Sequence, residues 1–215
     1  MSNMGLIFLS EYYDKISLKK LAIKRTNDLL NENFTKDGLN NENTPGYQQS
    51  NIGLYRGIYN LVKKDPKLKQ ESEYLNYRIS KMNDIMPLLL WQNNYYPAIG
   101  DDGNYLANNY LSNNKSSCFN DGYISIYKDG NQFFSFISKP SSIFHKQIDD
   151  LSVTFRYNND DIFIDSGRYN YDVESFNRQY VESCKGHSSI CTTTMDELQA
   201  REYVQQQLKY DKKCI

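Results

Sequence analysis

The stretch that decides the fold reads His145-Lys146-Gln147-Ile148-Asp149-Asp150-Leu151-Ser152-Val153, continues through Thr154-Phe155-Arg156-Tyr157, and closes with Asn158-Asn159-Asp160-Asp161-Ile162-Phe163-Ile164-Asp165-Ser166-Gly167. Leu151 to Tyr157 and Asp161 to Ile164 have the β-branched and aromatic content of strands, and Asn158-Asn159-Asp160 between them is a turn signal. A hairpin follows. Antiparallel pairing would return Asp165, at the far end of the second strand, to the His145–Gln147 end of the first. An imidazole, an amide and a carboxylate are thereby expected close together. The only other histidine, His187, stands at the start of a further apolar run.

Upstream of this hairpin lies a second one. Tyr123 to Tyr127 alternates, Lys128-Asp129-Gly130-Asn131 supplies an Asp-Gly turn, and Gln132 to Ile137 alternates again. Two successive hairpins predict an antiparallel sheet. Before about residue 119 the period is helical. Leu18, Leu21, Ala22, Leu29 and Leu30 recur at helix spacing, as do Leu54, Ile58 and Leu61, and then Leu75, Ile79, Met82, Ile85, Met86 and Leu89. A polar loop runs from Phe34 to Thr44, and Pro45-Gly46 places Tyr47 next to a helix start. Residues 196–215 read as a weak polar helix. The fold class is therefore α+β, helices first and antiparallel strands second.

Composition bounds the partners. With 215 residues and 39% hydrophobic content the chain can bury a core. Its net charge of −1 offers no global basic field, so no nucleic acid is expected and an anionic polymer would have to be held by local cations. No apolar run approaches membrane-spanning length, and no basic leader precedes Leu6–Leu9. Cys118, Cys184, Cys191 and Cys214 show no metal-finger spacing and are expected as free thiols. The 19 tyrosines and many asparagines fit an AT-rich gene, with carbohydrate stacking as the alternative.

The pattern His145-Lys146-x-x-Asp149-Asp150-Leu151-Ser152, a short turn, Asp165-Ser166-Gly167-Arg168-Tyr169-x-Tyr171, then Arg178-x-Tyr180 and Gly186-His187, resembles the heparinase II/III-like polysaccharide lyases. Asp37-Gly38, Glu42-Asn43-Thr44-Pro45-Gly46-Tyr47 and Ile99-Gly100-Asp101 extend the resemblance to roughly residues 5–195. It implies the C-terminal part of an (α/α) toroid (1–112) followed by the first part of an antiparallel β-sandwich (113–215), with an active site in the cleft between them. It also implies β-elimination on a uronic-acid-containing polysaccharide, with Tyr47 as base and acid and His145 assisting. Gln48, Arg168 and Arg178 would bind substrate; Gln48 stands where relatives commonly carry histidine.

In many members of the family it resembles, the position two after His145 is a zinc-binding histidine, completed by an aspartate and a second histidine. Gln147, Asp165 and His187 stand there in this chain. An amide oxygen favours a hard cation, so calcium or manganese is expected before zinc. The bland alternative is that Gln147 and His187 hydrogen-bond to Asp165 and tie strands together. No organic cofactor is expected. The carboxylate pairs Asp101-Asp102 and Asp149-Asp150 are read as solvated or capping, because adjacent strand residues face opposite ways.

The family's substrate-carboxylate neutraliser lies well upstream of its catalytic tyrosine, whereas only 46 residues precede Tyr47 here. The chain is thus expected to be a fragment of a bacterial periplasmic, cell-envelope or secreted parent, weakly active or inactive alone, and able to self-associate through uncovered faces. The alternative to a lyase is a catalytically inactive carbohydrate-binding or structural remnant.

Overall fold

The computed structural model describes residues 2–119, 121–138 and 145–191. The polar helix expected at 196–215, and Cys214 within it, lie outside these. Among the described residues, helices α1 (Asn3–Tyr12), α2 (Ile16–Asn33), α3 (Pro45–Val62) and α4 (Lys69–Leu89) come first. Strands β1 (Ser117–Cys118), β2 (Ile124–Asp129), β3 (Gln132–Ile137), β4 (Val153–Tyr157) and β5 (Asp160–Phe163) follow, and then α5 (Phe176–Glu182). The α+β order is as expected. The chain divides into two compact units, Met1–Leu39 with Gln48–Ile85, and Asn40–Tyr47 with Met86–Ile215.

The first unit is helical. Its core is built from Ile7, Ala22, Ile23, Leu30, Leu39, Leu75 and Met82, all essentially free of solvent. The α4 stripe is buried as its periodicity predicts. On α2 the buried face is Ala22, Ile23, Thr26 and Leu30, whereas Leu21 and Leu29 are exposed. The leucine spacing is compatible with two faces, and burying Thr26 decides between them: its hydroxyl donates to the Ala22 carbonyl and accepts from Asn3 Nδ2. Leu54 is likewise exposed. Buried Arg78 donates to the Leu30 and Thr35 carbonyls at 3.2 and 3.0 Å, satisfying backbone acceptors at and just beyond the end of α2 that would otherwise lack partners.

The second unit holds a five-stranded antiparallel meander, β1-β2-β3-β4-β5. Both predicted hairpins form. Gly130 takes a positive φ of 53° in the β2–β3 turn, and Asn158 and Asn159 take 50° and 68° in the β4–β5 turn. Positive φ at both central residues gives the twist that a two-residue hairpin needs, and asparagine tolerates it. One face carries Ile124, Ile126, Phe133 and Ile137, all buried. Ser135 and Thr154, buried opposite each other on β3 and β4, hydrogen-bond at 2.6 Å. Lys128 lies on the same face, where its ammonium donates to the Pro87 carbonyl at 2.8 Å and Ser112 Oγ at 2.9 Å, and also to the Leu90 carbonyl. These bonds compensate a buried charge at the C-terminal end of α4.

The cysteines differ from expectation. Cys184 and Cys191 form a disulfide, Cα to Cα 5.7 Å, while Cys118 is a free, exposed thiol. Their separation of seven residues matches no sequence motif; only the turn through Cys184–Gly186 brings them together. Closing so short a loop contributes about 2 kcal/mol by restricting the unfolded chain. It also fixes the segment carrying His187.

Candidate active site

All residues of the site belong to the second unit. Tyr47 sits in the first turn of α3, and His145 lies in the loop that precedes β4. The two rings stack, centroids 4.1 Å apart and planes 30° from parallel. The Tyr47 hydroxyl is 2.8 Å from the Tyr171 hydroxyl. Arg168 continues the chain of contacts, with Nη1 donating to Tyr171 at 2.9 Å and Nη2 to Tyr105 at 2.8 Å. Burial and the Tyr171 hydrogen bond push the Tyr47 phenol well above its ordinary range. Burial opposes ionisation of Tyr171 too, but the bonds from Tyr47 and Arg168 outweigh it and lower that phenol. Either hydroxyl can donate across this contact, and Tyr171 is the phenol that ionises first.

His145 is clamped between two carboxylates, Asp101 Oδ2 at 3.3 Å from Nδ1 and Glu42 Oε2 at 3.2 Å from Nε2. Its bonds to Asp101 and Glu42 push its pKa up to about 9 against the effect of burial. At neutral pH it is an imidazolium lying against the Tyr47 ring.

Asp101 is the hub of the site. Burial alone would raise its carboxyl, but His145, Gln147 and Arg178 together hold it at about 2. Gln147 Nε2 donates to Oδ1 at 2.9 Å and Arg178 Nη2 to the same oxygen at 2.7 Å. Arg178 also pairs with Glu182. Of the two carboxylate pairs read as solvated or capping, Asp101, Asp102 and Asp149 are interior, 5%, 3% and 1% exposed, and Asp150 is half-exposed. Asp149 pairs with the Lys146 ammonium, which also lies 3.2 Å from Asp150. Asp102 accepts from the backbone of Gly46 and Gly103, so the capping half of the expectation holds for it.

Burial pushes the Asp102 carboxyl up to about 6, against the opposing pull of those amides and of Arg168. A raised carboxyl stabilises the fold fully below its unfolded value near 4, and that contribution is lost as pH rises through about 6. Relative to Asp102→Asn, the parent chain should lose about 3 kcal/mol of stability between about pH 4 and about pH 7. Urea melts across that range check this, and parallel pH profiles would contradict it.

The predicted site residues do not all converge. Tyr47, His145 and Arg168 come together around the Tyr171 ring and hydroxyl. Gln48 is fully buried, its amide donating to the Gly38 and Met82 carbonyls at 2.7 and 3.1 Å within the helical unit, so it packs and does not face a substrate. Arg178 is also enclosed and works through Asp101. Asp165 and His187 meet directly, Oδ2 to Nδ1 2.7 Å, across an isolated antiparallel bridge. The Gln147 amide instead turns to Asp101 and the Gly167 carbonyl. The hairpin thus returns Gly167, not Asp165, to Gln147, and Asp101 joins two clusters that the sequence keeps apart.

Two acceptors in this region, Gln147 Oε1 and His187 Nε2, are buried with no hydrogen-bond partner among the described residues. A neutral imidazole whose Nδ1 is held by a carboxylate leaves Nε2 available to accept a hydrogen bond or to meet a cation. Among the described residues no three His, Cys, Asp or Glu side chains gather closely enough to hold a metal by themselves.

Tyr171, Glu42 and Asp101 carry no role that the sequence alone assigns. Their sequence signal is adjacency to recognisable segments: Asp165-to-Tyr171, Glu42-to-Tyr47, Ile99-Gly100-Asp101.

Residues 115–208 match the family model described as Heparinase II/III-like, C-terminal. Over this stretch, just under half of its length, the chain is similar to the C-terminal part of heparinase II/III-like proteins. Solved structures similar in fold include a heparinase III gene product (TM-score 0.70, 15% identity, 85% of this chain and 34% of that one). The heparan sulfate lyase HepC from Pedobacter heparinus is another (0.66, 16%, 87% and 35%), as is a further heparinase III (0.57, 14%, 80% and 34%). The chain spans about a third of the length of these relatives. No curated protein sequence matches it significantly. No described helix is long and apolar enough to cross a membrane.

Proposed function

We propose that the chain carries the proton-transfer site of a lyase that cleaves a uronic-acid-containing anionic polysaccharide by β-elimination. In that reaction the C5 proton leaves to a base, the C4–oxygen bond breaks, a C4–C5 double bond forms, and the departing oxygen takes up a proton. The observation that carries the reading is the Tyr47–Tyr171–Arg168 chain with His145 stacked on Tyr47. Ionisation removes one proton from the phenol pair, at Tyr171 first, where Arg168 supplies the countercharge; the remaining proton, on Tyr47, passes to Tyr171 and leaves Tyr47 as the phenolate. Tyr47 then takes the C5 proton and returns one to the leaving oxygen. His145 assists as a cation, stabilising negative charge as it develops.

A divalent cation, calcium or manganese before zinc, would be held by Gln147, Asp165 and His187. It would supply positive charge that braces the sandwich side of the site, while the proton steps belong to the side chains named above. No organic cofactor enters this chemistry.

The test is incubation of the chain, and of a version extended upstream, with heparan sulfate, alginate and glucuronate-rich exopolysaccharide. Ultraviolet absorbance of the unsaturated product is followed. Product from either form supports the reading. Absence from both favours the non-catalytic carbohydrate-binding alternative.

A further inference from the structure

Asp102 touches neither phenol, yet both are tied to it. Its carboxylate accepts the N–H of Gly46, the residue immediately before Tyr47 at the start of α3, and the N–H of Gly103 at 2.9 Å. Its backbone carbonyl accepts the N–H of Arg168 at 2.7 Å. Arg168 in turn holds Tyr171, and Tyr171 holds Tyr47. The contacts close a ring that starts and ends at Asp102. Both flanking glycines are needed for it: a Cβ at Gly46 would fall on the Asp102 carboxylate, and a Cβ at Gly167, where φ is 59°, would fall on the Asp102 carbonyl oxygen. A carboxylate 3% exposed, seated on a helix N-terminus between two such glycines, has no freedom to move.

We infer that Asp102 is the positioning residue of the phenol pair, setting Tyr47 through the Gly46 N–H and Tyr171 through the backbone of Arg168. The pair's catalytic role rests on the lyase reading above; its positioning by Asp102 does not. Asp102→Asn keeps the shape but replaces one of two acceptor oxygens by a donor, so either Gly46 or Gly103 loses its partner.

The experiment uses the full chain with 13Cζ-labelled tyrosine, the Tyr47 and Tyr171 resonances being assigned from Tyr47→Phe and Tyr171→Phe. In the parent, Tyr47→Phe displaces the Tyr171 resonance. In the Asp102→Asn background that displacement should shrink at least twofold, while the resonance of Tyr77, in the helical unit, stays in place. An unchanged displacement overturns the inference. If Asp102→Asn does not fold, the parent is titrated instead, with the Gly46 and Gly103 amide protons reporting Asp102. The groups facing Asp102 are Asp101, held at about 2, Arg168, charged throughout, and the phenols of Tyr96 and Tyr123, raised by burial, so none of them titrates beside it near 6. A Tyr171 shift with the amide midpoint supports the inference, and a silent Tyr171 ring overturns it. Intact coupling without unsaturated product would sink only the lyase reading.

Discussion

Tyr47→Phe is expected to reduce formation of unsaturated product by about 100-fold or more, in whichever form of the protein makes it. A general acid or base contributes roughly 10²–10⁴ to rate, and here one phenol serves both steps. The ring remains to stack on His145, and the change removes only the oxygen that meets Tyr171. The loss should therefore fall on kcat, with KM little altered, because no substrate contact other than the transferred proton disappears. Tyr171→Phe should cost less and should lower the pH at which the Tyr47 phenol ionises, since the Tyr171 hydrogen bond and charge are among the causes that hold that phenol up. Progress curves on one uronic-acid polymer across pH separate the two variants. Retention of full activity by Tyr47→Phe would remove Tyr47 from the mechanism.

Asp101→Ala should have the largest effect on stability, about 3–5 kcal/mol, read as the urea midpoint at constant slope. Its carboxylate is the shared acceptor for Gln147 and Arg178 and one of the two that clamp His145. Arg178 is 4% exposed, and its Nε and Nη1 already lack partners among the described residues. Removing Asp101 leaves a buried guanidinium with Glu182 alone to balance it. Asp101→Asn should recover part of the loss by keeping an acceptor, while leaving the charge unbalanced. A loss below about 1 kcal/mol would show that the hub transmits little energy.

Much of the fold was legible because period and turn chemistry are local. The α4 stripe and both hairpins follow from spacing and from Asp-Gly and Asn-Asn turns. The α2 face was not legible, because its leucines fit two stripes and a buried threonine decided between them. The site divides in the same way. Tyr47, His145 and Arg168 stand in recognisable segments and do converge. Gln48 and Arg178 stand in the same segments but point inward, since direction depends on which neighbours offer acceptors. Asp101-Asp102 was discounted on the rule that adjacent side chains diverge. They do diverge, Asp101 toward His145 and Arg178, Asp102 toward Gly46, and that divergence lets two neighbouring residues hold both halves of the site.

The order of elements, the hairpin turns and the resemblance carried by residues 115–208 were determined by the sequence alone, because they depend on residue type and spacing along the chain. Tertiary structure alone decided the charge on His145, the ranking of the two phenols, the cysteine pairing and the burial of four carboxylates, Asp101, Asp102, Asp149 and Asp165. Each of these depends on distances between groups far apart in sequence and on how much water reaches them. Coulombic and desolvation energies vary steeply with both, and neither is written in the order of residues.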